Sequence, residues 1–387
     1  MKVLHLQRIG GIGGSERHVL ELLPALRARG IDARFLGLDD TSAAPEPFYE
    51  ALAATDTPFE RLACPRDLDP RLARRTASRV RRFRPDLVHT HLVHADVYGA
   101  LAAARTRARL VSTKHNDDPF RSGRARYGER LLTRRADRVI CITEALARFN
   151  REVVGLPAEK LRVVHYGLDA PPTPWGPPEK RPGGPELPAE TPVLLCICRL
   201  VPQKGVDVAI EALARVREQH PDVHLVVLGE GPLRRELASL AARREVEDAV
   251  SLPGRVGDVA WWLRRAAVLV HPARWEGFGL ALLEAMLSER PVVASAVSSI
   301  PEIVLDGETG RLVPPDDAAA LAAAVGDLLD HPARAAAMGA AGRALALSEF
   351  SVERMAERTA GVYEEVVSSP LRKTGIRSRG FRSRENP

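Results

Sequence analysis

An α/β fold with two doubly wound domains is the class that three features of this sequence predict. The chain has 387 residues, and about 100 to 200 residues are typical of one domain. Short apolar runs alternate with helical segments in two successive sets, a pattern typical of parallel sheets covered by helices. A proline-rich stretch over residues 170–192 separates the two sets, and its missing backbone donors favour a linker.

The first set predicts a domain over residues 1–169. It opens with the apolar run KVLHLQ, a helical segment that ends at Gly30, and the run DARFLGL. Four more short apolar runs follow between helical stretches: DLVHTH, RLVSTKH, DRVICI and LRVVHYG.

The second set predicts a domain over residues 193–350, with strands VLLCICRL, HLVVLGEG, AAVLVHP and RPVVASA. A helix over residues 351–370 follows, with a return to the first domain as one option. The basic tail, residues 371–387, is predicted to be disordered. Ligands of doubly wound sheets bind beyond the carboxyl ends of the strands, so we expect the site in the cleft between the domains.

Charge and hydropathy exclude several classes of protein. The basic tail carries five of the six net positive charges, so the body of the chain is not a nucleic-acid binder by charge. The sequence shows neither a signal peptide nor eighteen consecutive uncharged apolar residues, so we expect a cytoplasmic protein. Four cysteines without metal-ligand spacing predict neither a disulfide framework nor a structural metal.

A glycine-flanked turn, WEGFG, follows the predicted strand AAVLVHP. A helix is predicted to begin near Phe278, and its first backbone N–H groups have no acceptors within the helix. Gly277 and Gly279 carry no side chain, so a phosphate can approach these N–H groups closely. The turn is therefore a candidate phosphate site, although the pattern GFG is common in loops.

Two carboxylates bracket this turn, and each has two readings. Glu284 shares a helix side with Leu280 and Leu287, so its charge is buried or lines a cleft and needs a partner. No lysine or arginine stands at helical spacing within the helix. A ribose diol and a cation from another element are therefore equally suitable partners for Glu284. Glu276 precedes the glycines and also has two interpretations. It lies near the group that a bound diphosphate carries on the side away from the ribose, or it only interacts favourably with the helix dipole.

The paired glutamates in EGFGLALLEAM resemble the signature of retaining GT-B glycosyltransferases of family four. The segments CRLVPQKGVD, VVLGEGPLRREL and SIPEIVLDGETGRLVPP match that family in kind and order. GGIGGSERHVLELLPALRARG resembles its acceptor-side loop, and VSTKHN resembles the strand end with its active-site histidine. The likeness covers roughly residues 1–365 and is most specific in the carboxyl half.

The resemblance implies a GT-B fold, with two Rossmann-like domains facing across a cleft, and roles for individual residues. Glu284 would hold the ribose hydroxyls of a nucleoside-diphosphate sugar, and Glu276 would contact its sugar. His115 would contact that sugar from the other domain, and Arg199 and Lys204 would neutralise the departing diphosphate. Backbone groups would complete the site: Gly277, Phe278, Gly279 and Leu280 at the diphosphate, and Gly13 and Gly14 on the acceptor side.

Two departures from the family pattern concern the bound sugar. Ser298 and Ser299 stand where a glycine pair is usual, and Tyr166 stands where an asparagine is usual. We expect neither departure to touch the groups that bind the diphosphate. The resemblance also implies that protein cations take the place of a divalent metal, so we expect no metal and no cofactor in the site.

Three other motifs are interpreted as structural. Asp67 to Asp69 is predicted to be a surface turn and not a metal-binding acid pair. His89, His91 and His94 have a spacing that suits a metal, but no acidic or cysteine ligand is near. We expect His89 or His91 to contact substrate at a strand end. GGIGG lacks the third glycine of a dinucleotide fingerprint because Glu16 stands there, which argues against NAD.

Arginines crowd two helical stretches of the first domain, and two readings stay open. A solvated helix face explains them, and so does a patch that docks on anionic lipid together with the basic tail. The first cluster is Arg71, Arg74, Arg75, Arg79, Arg81, Arg82 and Arg84, and the second is Arg121, Arg124, Arg126, Arg130, Arg134 and Arg135.

The predicted function is that of a metal-independent glycosyltransferase that moves a sugar from a nucleoside-diphosphate sugar to a hydroxyl acceptor with retention. Analogy with the family that the sequence resembles indicates a sugar or lipid-linked sugar acceptor in bacterial surface polysaccharide or glycolipid synthesis. Two alternatives stay open: a sugar-nucleotide epimerase of the same fold, and a non-catalytic sugar-nucleotide-binding protein. Peripheral contact with the inner face of the plasma membrane is a further option, and no nucleic-acid partner is expected.

Overall fold

A parallel sheet lies at the centre of each domain, which confirms the predicted fold class. The computed structural model describes residues 1–66, 68–106, 108–117, 121, 123–170 and 183–369. In this part of the chain the first sheet contains β1 (Lys2–Ile9), β2 (Asp32–Asp40), β3 (Phe59–Cys64), β4 (Leu87–His91), β5 (Arg109–Lys114), β6 (Arg138–Cys141) and β7 (Leu161–Val163). The second sheet contains β8 (Val193–Ile197), β9 (His224–Leu228), β10 (Val250–Gly254), β11 (Val268–His271), β12 (Val292–Ser295) and β13 (Arg311–Val313).

Helices connect consecutive strands and cover both faces of each sheet. The first domain contains α1 (Gly14–Ala28), α2 (Glu46–Ala53), α3 (Pro70–Phe83), α4 (Leu92–Ala103), α5 (Ala125–Thr133) and α6 (Glu144–Phe149). The second contains α7 (Val206–Val216), α8 (Arg234–Arg243), α9 (Val259–Arg265), α10 (Leu280–Leu287), α11 (Ile300–Ile303), α12 (Ala318–Asp330) and α13 (Pro332–Glu349). The chain continues into α14 (Val352–Ser368).

The strand order reverses once in each sheet, and these reversals locate the crevices where ligands bind such folds. The orders are β3-β2-β1-β4-β5-β6-β7 and β10-β9-β8-β11-β12-β13, with all assigned pairs parallel. The reversals fall between β1 and β4 and between β8 and β11. The glycine-rich loop follows β1, and the WEGFG turn follows β11, so both predicted motifs lie at reversal points.

Helix α14 packs against the first domain although it follows the second in sequence. It contacts α1 and β5, and its buried residues Met355 and Tyr363 belong to the hydrophobic core of the first domain. The two chain segments that cross between the domains touch one another, because the Leu168 N–H donates to the Phe350 backbone oxygen at 2.9 Å. The side chains of the first sheet that contact α14, among them His5 and His89, are fully buried.

Several predicted segments lie outside the described residues, namely Asp67, residues 171–182 of the predicted linker, and the basic tail. Asp69 is described, and its side chain caps α3 by accepting from the Arg71 N–H at 2.8 Å. None of the helices that the structure describes combines the length and the apolar character needed to cross a bilayer.

Candidate active site

The carboxyl ends of the two sheets face one another, and glycines allow the facing loops to approach closely. Gly14, after β1, lies against α10, since a methyl group built on it would be 3.7 Å from Leu280 Cδ1. Gly277, after β11, lies against the loop after β5, since a methyl group there would be 2.5 Å from the His115 backbone oxygen. Predicted site residues therefore lie on both sides of one interdomain cleft.

Glu276 is the centre of a buried charge cluster. Its Oε2 atom accepts hydrogen bonds from Lys204 Nζ at 2.5 Å and from His271 Nε2 at 2.9 Å. Its Oε1 atom accepts from the Gly277 N–H at 3.1 Å. Burial raises the pKa of Glu276, but the charge of Lys204 and the hydrogen bonds from His271 and Lys204 outweigh it and lower the pKa well below its ordinary value. Glu276 is therefore a carboxylate at neutral pH.

The turn after Glu276 presents three backbone N–H groups at the start of α10. The helix begins at Leu280, two residues later than predicted, because Gly279 adopts a left-handed conformation with φ of +94°. The N–H groups of Phe278, Gly279 and Leu280 have no acceptor among the described residues. Ser299 Oγ donates to the Glu276 backbone oxygen at 3.0 Å and steadies the turn. The turn can thus offer unpaired N–H groups to an anion.

Glu284, on α10, forms a salt bridge with Arg17 on α1 of the other domain. The sequence left two possible partners for Glu284 open, a ribose diol and a cation from another element. In the structure the partner is such a cation, Arg17. Burial raises the pKa of Glu284, and the nearby charge of Arg17 opposes that rise. Arg17 contacts Oε1, and Oε2 has no hydrogen-bond partner among the described residues. One carboxylate oxygen therefore remains for a ligand hydroxyl.

Arg199 lies between β8 and the short 3-10 turn that carries Lys204, and its side chain is exposed. Its guanidinium makes no salt bridge with any residue that the structure describes. The structure thus brings Lys204, but not Arg199, into contact with Glu276. An exposed cation beside the cleft remains free to pair with an anionic ligand.

The glycine-rich loop leads into α1 through a helix cap. Glu16 Oε2 accepts from the Gly13 N–H at 3.0 Å, and Glu16 Oε1 accepts from Gln7 Nε2 at 2.8 Å. Glu16 therefore occupies the helix start that a pyrophosphate would need in a dinucleotide site. This geometry agrees with the argument against NAD.

His115 lies at the cleft, and both of its ring nitrogens contact protein groups. Nδ1 contacts the Tyr166 hydroxyl, and Nε2 lies 3.2 Å from His91 Nδ1. Burial lowers the pKa of His115, and the neighbouring His91 lowers it further, so the imidazole is neutral at pH 7. A sugar contact from its ring would require one of these two partners to move, whereas its backbone oxygen already faces Gly277.

The expectation that the unusual residues avoid the diphosphate-binding groups is wrong. Tyr166 packs on Phe278 with ring centroids 5.0 Å apart, and Ser299 Oγ holds the turn through the Glu276 backbone oxygen. Ser298 Oγ lies 3.2 Å from Asp117 Oδ2 on the first domain. These side chains therefore shape the turn itself and the contact between the domains.

Two further expectations about the first domain are also wrong. His89 and His91 do not reach the cleft surface, because both are fully buried beside His5 on the sheet face that α14 covers. Arg121 does not belong to a solvated arginine cluster, because its side chain is 1% exposed and pairs with the buried Glu129 at 2.6 Å.

Three residues of the cleft were not identified from the sequence. His271 ends β11, and a polar side chain at the carboxyl end of a strand at a reversal point was a usable signal. Arg17 and His18 lie in the first turns of α1. Only the tertiary structure shows that Arg17 reaches Glu284 and that His18 stacks on Tyr166 at 4.4 Å.

Comparison with known proteins agrees with this architecture. A family model described as glycosyl transferases group 1 matches residues 179–345, and one described as Glycosyltransferase Family 4 matches residues 12–170. A glycogen synthase of Mycobacterium tuberculosis is 31% identical, over 91% of this chain and 91% of its own. A D-inositol 3-phosphate glycosyltransferase of Streptomyces scabiei is 32% identical, over 93% of this chain and 88% of its own.

Solved structures share the fold. HepE of Anabaena matches with a TM-score of 0.81 and 24% identity, over 94% of this chain and 100% of its own. Sucrose-phosphate synthase of Thermosynechococcus elongatus matches with a TM-score of 0.78 and 23% identity, over 94% of this chain and 99% of its own. Two doubly wound domains around one cleft define the GT-B class. The chain belongs to the group 1, family 4 glycosyltransferases within that class, and it is a glycosyltransferase.

Proposed function

We propose that the protein moves a sugar from a nucleoside-diphosphate sugar to a hydroxyl acceptor, with retention of configuration and without a divalent metal. The observation that carries this proposal is the cluster of Glu276, Lys204 and His271 at the start of α10, beside three N–H groups that have no acceptor in the described part of the chain. A cation, a sugar-facing carboxylate and a positively polarised helix start together fit a sugar diphosphate. HepE, which shares the fold, was solved in complex with UDP-glucose.

The chemistry of Glu276 supports one route to retention. Three donors already bind its carboxylate, and its lowered pKa makes it a weak base and a weak nucleophile. It is therefore better suited to accept a sugar hydroxyl than to form a covalent intermediate. In the route we favour, the leaving phosphate assists attack by the acceptor hydroxyl on the same face of the sugar, while Lys204 and Arg199 stabilise the departing charge.

The acceptor is the open part of this proposal. Relatives of similar identity are named for different acceptors, since one is a glycogen synthase and another a D-inositol 3-phosphate glycosyltransferase. We favour a sugar or lipid-linked sugar in bacterial surface polysaccharide or glycolipid synthesis. Product analysis with the donor alone separates transfer from the epimerase alternative, because an epimerase would convert the donor sugar without an acceptor.

Donor binding tests the proposed role of Glu284. A thermal-shift screen over UDP-, GDP- and ADP-sugars would identify the donor, and calorimetry would then measure its affinity. Glu284→Ala should weaken donor binding by roughly ten- to a hundredfold, because a hydrogen bond to a charged group contributes about 1.5 to 3 kcal/mol.

Arg17→Ala is the matched control for this variant. It removes the same interdomain salt bridge but leaves the carboxylate in place for the ribose. We expect donor affinity within about threefold of the wild type, or tighter because a competitor for Glu284 is gone. Equal weakening in both variants would show that Glu284 serves only the salt bridge.

A peripheral contact with anionic membrane is a second part of the proposal. On α5, Tyr127 and Leu131 stand one turn apart and are 58% and 63% exposed, with the exposed Arg130 and Arg134 beside them. An apolar pair among cations fits the headgroup region of an acidic bilayer, where each cation contributes about 1 kcal/mol.

Flotation with acidic liposomes at low salt tests this contact. The wild type should float, and the double variant Tyr127→Ser with Leu131→Ser should float several-fold less because the inserted apolar area is lost. Leu347→Ser, which changes an exposed leucine of the second domain, should float like the wild type. The proposal fails if the α5 variant floats as well as this control.

A further inference from the structure

One face of the first sheet holds an unbroken chain of hydrogen-bonded side chains, here called the buried relay. The register explains why its members meet: His5 on β1 pairs with His89 on β4, and His91 pairs with Thr113 on β5. Alternate residues of a strand point to the same face, so these side chains share the face that α14 covers. In order, the buried relay is Thr113, His89, Tyr363, His5, His91, His115 and Tyr166.

Each neighbouring pair in the buried relay is within hydrogen-bond distance. His91 Nε2 lies 3.0 Å from His5 Nδ1 and His91 Nδ1 lies 3.2 Å from His115 Nε2, while His115 Nδ1 contacts the Tyr166 hydroxyl. At the other end, the Tyr363 hydroxyl lies 3.3 Å from His5 Nε2 and 2.6 Å from His89 Nδ1. His89 Nε2 lies 2.6 Å from Thr113 Oγ1.

The four histidines of the buried relay are neutral, because burial lowers the pKa of each, to about 3 in His5. A neutral imidazole carries one N–H, and a tyrosine hydroxyl donates one proton. A buried hydroxyl proton without a partner is unfavourable, so Tyr363 donates to one of its two histidines and accepts from the other. With every contact made in this way, the direction of one hydrogen bond determines the direction of all the others. Two proton arrangements remain: all four histidines protonated on Nε2, or all four protonated on Nδ1.

These two arrangements differ at the cleft. With all four histidines protonated on Nε2, Tyr166 donates its proton to His115 and presents only lone pairs to its other neighbours. With all four protonated on Nδ1, His115 donates to Tyr166, whose own proton is free to point elsewhere. Tyr166 packs on Phe278 at the turn before α10, so this difference lies beside the proposed sugar-diphosphate site.

We propose that the buried relay sets the hydrogen-bonding direction of His115 and Tyr166, and that Tyr363, His5 and His91 are positioning residues for the transfer reaction. Through Tyr363, the packing of α14 on the first domain thereby influences whether Tyr166 donates or accepts its hydrogen bond with His115. The kinetic part of this inference rests on the proposed function. The tautomeric part needs no substrate and stands by itself.

A metal ion is the competing explanation for three of these histidines. One ring nitrogen from each of His5, His89 and His91 lies within 4.8 Å of the others. The hydrogen bonds already occupy both ring nitrogens of all three, so a metal would have to displace them. Metal analysis of the purified full-length protein decides between the two, because a stoichiometric Zn²⁺ or Cu²⁺ that survives dialysis would overturn the relay.

Nitrogen-15 NMR of the histidine rings in the full-length protein is the direct test. We expect His5, His89, His91 and His115 to be neutral at pH 7 and to show one common tautomer. In Tyr363→Phe the hydroxyl that links His89 to His5 by hydrogen bonds is lost, so His89 should be able to adopt a different tautomer from the other three. Unlike tautomers in the wild type, or an imidazolium among the four, would contradict the inference.

Kinetics of the same variant test the positioning role. Tyr363→Phe should lower kcat about tenfold while the donor KM stays within about twofold, since one hydrogen bond far from the donor is lost. Tyr98→Phe is the matched control, because Tyr98 is equally buried and its hydroxyl accepts from the Asp69 N–H at 3.0 Å outside the buried relay.

The outcomes separate this inference from the proposed function. Equal loss of kcat in Tyr363→Phe and Tyr98→Phe, or no loss in Tyr363→Phe, would refute the positioning role. If no transfer activity is found in the wild type, the proposed function fails, and the common tautomer remains measurable.

Discussion

Replacing Lys204 with alanine should lower kcat about 100- to 1,000-fold, the effect typical of removing one preorganised electrostatic contact in a transition state. Lys204 Nζ lies 2.5 Å from Glu276 Oε2, next to the turn whose last three N–H groups have no acceptor among the described residues. In the proposed reaction its charge matters most when the diphosphate leaves, so the donor KM should change much less than kcat. Steady-state kinetics with the donor identified by the binding screen would measure both quantities.

Loss of folding must be separated from loss of catalysis in this experiment. Lys204→Ala leaves the buried Glu276 carboxylate with His271 and one backbone N–H, and breaking a buried ion pair from one side is destabilising. The double variant Lys204→Ala with Glu276→Gln removes both charges, so its thermal midpoint should recover towards that of the wild type. Its turnover should remain low. Wild-type turnover in Lys204→Ala would show that this cation has no part in the reaction.

The sequence predicted the features of the fold that depend on local patterns. Alternating apolar and helical segments led to two parallel sheets, because hydrophobic periodicity and turn residues act over a few neighbouring positions. The short edge strands β10 and β13 were not predicted. β10 contains a proline and β13 has three residues, so their strand character comes from pairing with β9 and β12 and not from their own composition.

The sequence could not predict which charges of the site pair with one another. Glu276 and Lys204 are 72 positions apart, and Glu284 and Arg17 are 267 positions apart. Such pairs depend on how the two sheets face each other, which no local spacing encodes. The resemblance to a family identified Lys204, Glu276 and Glu284 as candidates, but it did not identify Arg17 as the partner of Glu284.

Tyr166 shows how a departure from a family pattern can be misread. From sequence it was interpreted as a change in sugar selectivity, because it replaces a usual asparagine. In the structure its ring packs on Phe278 and its hydroxyl contacts His115, which places it at one end of the buried relay. Its meaning depends on neighbours from β4, β5 and α14, and only the tertiary structure brings these together.

Acidification below pH 6.5 should destabilise the first domain steeply. Five histidines are buried there, and burial is the largest cause of the lowered pKa of each: His5, His18, His89, His91 and His115. The folded state therefore keeps them neutral, whereas the unfolded chain binds protons at an ordinary pKa of about 6.5. Because the unfolded state binds more protons, stability is present above about pH 6.5 and is lost as the pH falls.

The expected loss is large compared with the stability of a typical domain. Each of these histidines contributes about 1.4 kcal/mol per pH unit below its unfolded pKa, so five of them cost about 9 kcal/mol between pH 7 and pH 5. Typical free energies of unfolding are about 5 to 15 kcal/mol. The first domain should therefore unfold, or lose its tertiary packing, near pH 5.

Thermal melts followed by near-ultraviolet circular dichroism from pH 8 to pH 5 would measure this loss. His5→Gln should flatten the dependence by about one fifth, since it removes one of five proton-binding groups of nearly equal weight. His331→Gln, which changes an exposed histidine of the second domain, should keep the wild-type dependence because all five buried histidines remain in place. A thermal midpoint that stays constant down to pH 5 would mean that the five histidines take up protons in the folded state. The packing around these side chains would then be far looser than the structure shows, since solvent would have to reach rings that are now buried.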